Sequence, residues 1–505
     1  MAEPSAKEML YFNEVGFLYK YDVRYEPNDR AFCNPLLDGR VQFRLHTEPG
    51  FADVNLVWND GEVRSVAMEQ VAQTARFDYW EVVIRPAQRF LHYSFALRRG
   101  DRMGKPFYLG GRGLTHAVEI RFELDLDQVR PFVTPEWVKG SVIYQIFPER
   151  FANGDPAVTP KGAMPWGEKP KWLEFQGGDL RGITQQLDYL QDLGVEVLYL
   201  NPIFLSPSNH KFDAIDYYQV DPAFGGNDAF KELIDGLHER GMKLILDASF
   251  NHCYPLFFAF KDLVEKGEES AYKDWFFVEE FPVQIKYRPH LITDEQRADP
   301  NFRRWQEWFA TFTELSGVSV VDVEGDGPMI EPTYHAWYGV LDMPKLNQEN
   351  PETRRYFLDL AAYWVREFKM DGWRMDVAQF IVDSFWQDFR QTVKEANPDS
   401  YLLSEIWGDT SHWLQGDMFD GTMNYLFRDL ALSYFARAEM STAELHEGLT
   451  RLYYHYAPQV TAVQQNLLSS HDVARFLHFC GENKGRFRLA TMFQMTLPGA
   501  PSVYY

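Results

Sequence analysis

The stretch Leu180–Phe204, LRGITQQLDYLQDLGVEVLYLNPIF, contains one complete unit of the fold. Ile183, Leu187, Leu190 and Leu193 recur at helical spacing, which predicts an amphipathic helix with one apolar stripe. Gly194 is placed to end that helix, because the residue after a helix commonly turns left-handed and glycine does so without a Cβ penalty. Val195–Phe204 then reads as an apolar strand. The same grammar continues on both sides. VIYQIF (142–147) is a first buried strand, and NDAFKELIDGLHERG (227–241), with Asn227 as N-cap and Gly241 as stop, leads into KLILDASFNH (243–252). NPETRRYFLDLAAYWVREF (350–368) opens on Asn350-Pro351, carries Phe357, Leu360, Trp364 and Phe368 on one face, and precedes DGWRMDV (371–377). Further strands are expected at SYLLSEIW (400–407), FDGTMNYLF (419–427), QQNLLSSHD (464–472) and APSVYY (500–505).

Eight strands, most followed by a helix, predict an α/β fold: a (β/α)8 TIM barrel spanning 142–505, with its chemistry on the loops at the C-terminal ends of the strands. The connection after the third strand, 253–342, is far longer than a usual βα loop and predicts an inserted subdomain. Residues 1–125 differ. Alternating segments such as VQFRLHT (41–47) and LHYSFALRR (91–99), separated by turn residues, predict an N-terminal β-sandwich. Residues 126–141, with Pro131 and Pro135, read as a linker.

The chain has 505 residues, 45% of them hydrophobic, enough for large cores. Lys+Arg 50 against Asp+Glu 73 gives a net charge of -23, which repels phosphate backbones and anionic membrane surfaces, so neither nucleic acid nor membrane is expected as a partner. An aromatic share of 16% suits sugar faces and interfaces, and equally aromatic-rich cores. Cys33, Cys253 and Cys480 are odd in number and far apart, which fits a reducing compartment. The N-terminal stretch lacks a leader pattern, and no run of about 18 apolar residues occurs. The chain reads as soluble and cytoplasmic, although an extracellular form with its leader removed would look the same.

The strand ends supply a charged set: Asp247 and His252 after strand three, Arg374 and Asp376 after four, Glu405 after five, His471 and Asp472 after seven. Any one of these alone is more simply a cap or a salt bridge. Several at corresponding positions of successive repeats point to a site, because clustered charge at a barrel mouth costs stability. Two carboxylates across one bond are what glycoside hydrolysis requires. Arg374, two residues before Asp376, is expected to lower that carboxylate's pKa and keep it ionised as a nucleophile. Glu405, near Trp407, would need its pKa raised to serve as the acid. Asp472 adds a third negative charge, and the histidines are donors for sugar hydroxyls.

The motifs DASFNH, GWRMDVA, EIW and LLSSHD, in this order, resemble the α-amylase family of retaining glycoside hydrolases (glycoside hydrolase family 13) over about 142–505. MPKLN (343–347), FGGNDAF (224–230) and the N-terminal β-domain resemble its neopullulanase, cyclomaltodextrinase and maltogenic amylase branch. The resemblance implies Asp376 as nucleophile, Glu405 as acid/base and Asp472 as transition-state stabiliser, with Arg374, His252, His471 and Asp247 around the cleaved ring. It implies an α-glucan substrate and a homodimer formed through a carbohydrate-binding-module-like N-terminal domain. No cofactor is needed for the chemistry. NGD and GGD resemble part of a structural calcium site, implying Asn153, Asp155, Gly177 and Asp179 as ligands, yet Val158-Thr159 stand where the branch has Asn-Asp. These residues could equally be turn formers.

Other departures bear on specificity. Gln379-Phe380 replace the branch's usual Asn-Glu at the acceptor sugar, Gly408 stands where a histidine is common, and Phe212 replaces a tyrosine expected to stack on the cleaved ring. The inserted subdomain is longer than usual. Tyr334, Trp337 and Trp407 are candidate sugar contacts, the first two equally candidates for hydrophobic packing. Family members continue beyond the eighth strand with a last helix and a C-terminal β-domain, so this chain is expected to lack both. The reading is a retaining hydrolase of α-1,4 links in cyclodextrins, pullulan, starch or maltooligosaccharides, with transglycosylation as a side reaction. An α-glucosidase or debranching activity on the same barrel, or a non-catalytic glucan-binding scaffold, are the alternatives.

Overall fold

A computed structural model describes residues 8–12, 18–100, 105–111, 113–115, 121–171 and 174–505. From Glu8 to Asp125 two six-stranded antiparallel sheets make a sandwich. Its core follows the two-residue period of a strand: Val41, Phe43 and Leu45 from one sheet meet Val54, Leu56, Tyr93, Phe95 and Leu97 from the other. All seven positions of Val41–Thr47 are nevertheless buried. The polar alternates Gln42, Arg44 and His46 are covered because the outer face of that sheet docks on the barrel domain. There Arg44 donates to the Tyr456 carbonyl at 3.0 Å, and Asn34 and Gln459 exchange amide hydrogen bonds of 3.1 Å.

The barrel strands are Ile143–Ile146, Val197–Leu200, Lys243–Ala248, Gly372–Met375, Tyr401–Ser404, Gly421–Thr422, Gln465–Leu467 and Ala500–Tyr504, paired in parallel, with the eighth beside the first. One parallel bridge, Met423 to Gln465, closes the ring between strands six and seven. Ile143, Val197, Tyr199, Ile245, Tyr401 and Leu403 fill the interior, while their neighbours Tyr144, Leu198, Leu244 and Leu402 face the helical layer.

Local details depart from the expectations. The helix expected through Leu180–Leu193 is two pieces, Leu180–Gln185 and Leu187–Asp192, and Leu193 is 53% exposed beyond the packed face. Gly194 does turn left-handed, at φ 85°. Asn227 does not cap its helix, which begins at Gly226; its Oδ1 instead accepts from Val220 N, tying the helix start to the preceding strand. The sixth strand is only Gly421–Thr422, because the Asn424 side chain accepts from Phe427 N and starts a helix at Tyr425. Between strands three and four lies the inserted region, with helices Phe258–Lys266 and Pro300–Ser316 and a three-stranded sheet of Gln284–Tyr287, Ser319–Asp322 and Ile330–Pro332. MPKLN belongs to its return path: Leu346 N donates to Asn251 O, and Lys345 bridges to His252, so the motif pins the loop after strand three.

His46 lies in this domain interface, 4.4 Å from the ring of Tyr79, and burial lowers its pKa from 6.5 to about 3. The unfolded chain binds a proton near pH 6.5 that the folded chain refuses, so this contribution is complete above that pH and is lost as pH falls. Between pH 6.5 and 5 one such group costs roughly 2 kcal/mol. His46→Phe, which keeps a ring and cannot titrate, is expected to shrink the difference in urea midpoint between pH 7 and pH 5 relative to the parent; an unchanged difference refutes the assignment.

Candidate active site

Arg374 sits on strand four with its side chain fully buried, in register with Asp247 on strand three. Its Nη1 donates to Asp247 Oδ1 at 2.7 Å and to Asp376 Oδ1 at 2.9 Å. Its Nη2 lies 3.1 Å from Glu405 Oε2 and 3.9 Å from Asp472 Oδ2, and its Nε faces Met423 Sδ at 3.4 Å. One guanidinium therefore gathers four carboxylates from the ends of four different strands. Backbone ladders fix the carriers: Asp376 N donates to Ala248 O and Glu405 N to Met375 O. Val377 follows in a left-handed conformation, φ 42° and ψ 44°, costly for a β-branched residue, and that turn aims its N–H at Glu405 Oε2, 2.9 Å away.

Four carboxylates against one cation in a buried place cannot all remain ionised. Burial pushes Asp376 well above the usual carboxylate range, with Glu405, Asp247 and Asp472 adding to the rise and Arg374 opposing it. Asp247 is pushed up to about 7 by burial, against the pull of Arg374 and of the Tyr199 hydroxyl that donates to it at 2.7 Å. The expected depression of Asp376 by Arg374 is thus corrected, since the guanidinium is shared and desolvation outweighs its share. The cluster keeps a proton in store. Glu405 meanwhile accepts from Val377 N and from Trp407 Nε1 at 2.9 Å each.

The histidines are set as neutral donors. Gln145 Nε2 donates to His471 Nδ1 at 2.8 Å, and Asn251 Nδ2 lies 3.2 Å from His252 Nδ1, which leaves the proton on Nε2 of each ring. Neither buried Nε2 makes a hydrogen bond within the protein, and that of His471 lies 3.2 Å from Asp472 Oδ1. Burial lowers both pKa values to about 3, so the rings stay neutral at physiological pH. Phe212 stacks on His471 at 5.3 Å and 11° and faces the Arg374 guanidinium at 5.8 Å. Trp407 stacks on Tyr425 at 4.1 Å and is 52% exposed, a flat wall beside Glu405. Trp337 packs 5.6 Å from His252. Gln379 and Phe380 follow Val377, both half-buried, and Gln379 Oε1 has no hydrogen-bond partner.

Tyr334 is not brought to this site. It is 2% exposed, packs against Phe260 at 5.0 Å and donates its hydroxyl to Leu341 O, so it is core of the inserted subdomain, and the expected sugar contact is withdrawn. Asn153, Asp155, Gly177 and Asp179 do meet, but as a hydrogen-bonded tie. Asp179 caps the helix at Leu180 through Gly182 N and also accepts from Gly154 N and Asp155 N. Asp155 pairs with Arg181 at 3.0 Å, and the Gly177 carbonyl accepts from Asn153 Nδ2 at 2.7 Å. Asn153 Oδ1, by contrast, is buried without a hydrogen-bond partner, an oxygen that a calcium ion could take.

Sequence reading missed Tyr199, Gln145, Tyr425 and Asn201, whose Nδ2 donates to Asp247 Oδ2 at 3.4 Å. Their signal is faint, because each lies on or beside a barrel strand where a buried aromatic or amide reads as core.

Carboxylates held on one buried cation under flat aromatic walls can protonate a bridging oxygen and stabilise the carbon it leaves, which makes this a glycoside hydrolase site by its chemistry. The alpha amylase catalytic domain model matches residues 145–505, and the alpha amylase N-terminal ig-like domain model matches 23–120. Cyclomaltodextrinase of Geobacillus thermopakistaniensis is 42% identical over 467 residues, 91% of this chain and 72% of that protein. Neopullulanase 2 of Thermoactinomyces vulgaris is 39% identical over 489 residues, 94% and 76% of the respective chains. A solved cyclomaltodextrinase superposes with a TM-score of 0.82 at 36% identity, covering 96% of this chain and 77% of its own. The chain belongs to the alpha-amylase family and is a glycosidase.

Arg374→Met is expected to destabilise the fold by roughly 3–5 kcal/mol, because it strands buried carboxylates without their cation. Urea denaturation measures this, and a midpoint equal to that of the parent at pH 7 contradicts the central place given to the guanidinium.

Proposed function

We propose that the chain hydrolyses α-1,4-glucosidic bonds of cyclodextrins, pullulan, starch and maltooligosaccharides with retention of anomeric configuration. The observation that carries this reading is the single guanidinium holding Asp376 and Glu405 within reach of one bond. Asp376 attacks the anomeric carbon, and Glu405 protonates the departing oxygen. Water then resolves the glycosyl-enzyme with Glu405 as base. Glu405 draws its proton from the store that the crowded carboxylates keep, because developing positive charge on the sugar favours an ionised Asp376. Asp472 with the neighbouring His471 Nε2, and the Nε2–H of His252, take sugar hydroxyls, and Phe212 lies under the ring being cleaved.

The same reading places the protein in the cytoplasm, supported by three buried free cysteines, and makes it a homodimer through the sandwich, supported by Leu37, Val63 and Phe90, which that domain exposes. Among the described residues no helix is long and apolar enough to cross a membrane. At the Asn153 to Asp179 tie, Asp155 pairs with Arg181, which also pairs with Glu232 at 3.1 Å, and the unpaired Asn153 Oδ1 supports a structural calcium ion held beside them.

Asp376→Asn and Glu405→Gln are each expected to lower reducing-sugar release from β-cyclodextrin and pullulan by at least about a thousandfold, and proton NMR of early products is expected to show the α-anomer first. Release by Asp376→Asn near the parental rate, or the β-anomer first, would sink the mechanism. A chelator is expected to lower the melting temperature and added calcium to restore it; a melting temperature that a chelator leaves unchanged counts against calcium at the tie.

A further inference from the structure

Tyr338 is 78% exposed, the most exposed large apolar side chain among the described residues. Its backbone is left-handed, φ 47° and ψ 28°, which a tyrosine adopts only at a cost. The turn is rigid: Trp337 N donates to Met343 O, Gly339 N to Ala336 O and Val340 N to Trp337 O. The ring meets two others edge-on, Trp337 at 5.1 Å and Phe380 at 5.6 Å. Trp337 in turn lies against His252, so an unbroken aromatic line runs from that histidine out to Phe380. A strained backbone that holds an apolar ring in water is explained by something that covers the ring.

The position of Phe380 says what that is. The segment it ends is tied to Glu405 twice, through Val377 N to Oε2 and Ala378 N to the Glu405 carbonyl at 3.2 Å. The general acid stands beside the oxygen that departs, and that oxygen belongs to the leaving sugar. Groups on the Glu405 side of the cleft therefore meet the leaving sugar first and the incoming acceptor afterwards. We infer that Tyr338, braced by Phe380, is a stacking platform for the acceptor sugar and biases the glycosyl-enzyme toward transfer over hydrolysis. This rests on the retaining reading above. In the transfer step the Asp376 oxygen to anomeric carbon bond breaks, an acceptor hydroxyl oxygen bonds to that carbon, and its proton passes to Glu405. Water and sugar compete for the same intermediate, so a ring that holds the sugar raises the share of transfer.

The test uses the whole chain with maltotriose as donor and glucose as acceptor, and compares the parent with Tyr338→Ala, Tyr338→Phe and Tyr338→Gly. The expected result is a transfer-to-hydrolysis ratio that falls roughly fivefold in Tyr338→Ala and holds in Tyr338→Phe. Melting temperature is expected to hold or rise in Tyr338→Gly, because glycine relieves the left-handed turn. A ratio in Tyr338→Ala within about twofold of the parent, or an equal loss in Tyr338→Phe, overturns the platform while the parent remains an α-glucan hydrolase. A parent that releases and transfers no sugar takes down the hydrolase reading and this inference with it.

Discussion

The buried guanidinium of Arg374 is the constraint on which the rest of the site depends. A cation taken out of water into the top of a packed barrel is stable only if carboxylates surround it, and here Asp247, Asp376, Glu405 and Asp472 do so. Asp247, Asp376 and Glu405 are likewise buried, with Asp472 at the rim, and there is too little cation to neutralise all four. The result is an electrostatic stalemate that the fold must enforce. It does so with parallel registry, since Asp247 and Arg374 are paired residues of adjacent strands, and with ladder bonds that fix Asp376 and Glu405 at the points where their strands end.

That enforced crowding is also the source of the chemistry. Glycoside cleavage needs one carboxyl protonated and another ionised within a few ångströms, two states that isolated carboxylates in water do not hold at the same pH. A cluster sharing one positive charge keeps a proton on its books and can move it as substrate charge develops. The neutral histidines complete this economy. Gln145 and Asn251 consume their Nδ1 atoms, so each ring offers a donor without adding a second cation that would relieve the crowding.

Much of this was legible in the chain itself. The helix, glycine, strand repeat announces the barrel because three physical signals coincide in it: helical spacing, a left-handed stop and a short apolar run. Asp376, Glu405 and Arg374 stand out because charge recurs at the ends of successive apolar strands, where any one alone would read as a cap or a salt bridge. What could not be read is whatever depends on neighbours distant in sequence. Arg374 looked like the private partner of Asp376, and only the register with Asp247 and the approach of Glu405 reveal that its charge is divided. Tyr334 looked like a sugar platform because an aromatic near a cleft carries the same letters whether it faces in or out. Asn424 begins a helix where an apolar run suggested strand, since a side-chain cap within the run outweighs the run itself.

The two ends of the catalytic unit show opposite solutions to one problem. On the sandwich side, Arg44 and His46 occupy alternate positions of a strand whose outer face is covered by the barrel domain; Arg44 bonds to Tyr456 and Glu81, while His46 packs on Tyr79 with its Nε2 buried and unpaired. That surface is closed, and its polar groups serve docking. At the mouth, Nε2 of His252 and Oε1 of Gln379 are left without hydrogen-bond partners, Nε2 of His471 lies 3.2 Å from Asp472 Oδ1, and Val377 and Tyr338 hold left-handed turns. A polyhydroxylated ligand could complete such groups, because each hydroxyl of a sugar can both donate and accept while its ring face covers an aromatic wall. On the proposed hydrolase reading, the line of groups from Phe212 and His471 to Phe380 and Tyr338 would meet sugar on both sides of the bond to be broken.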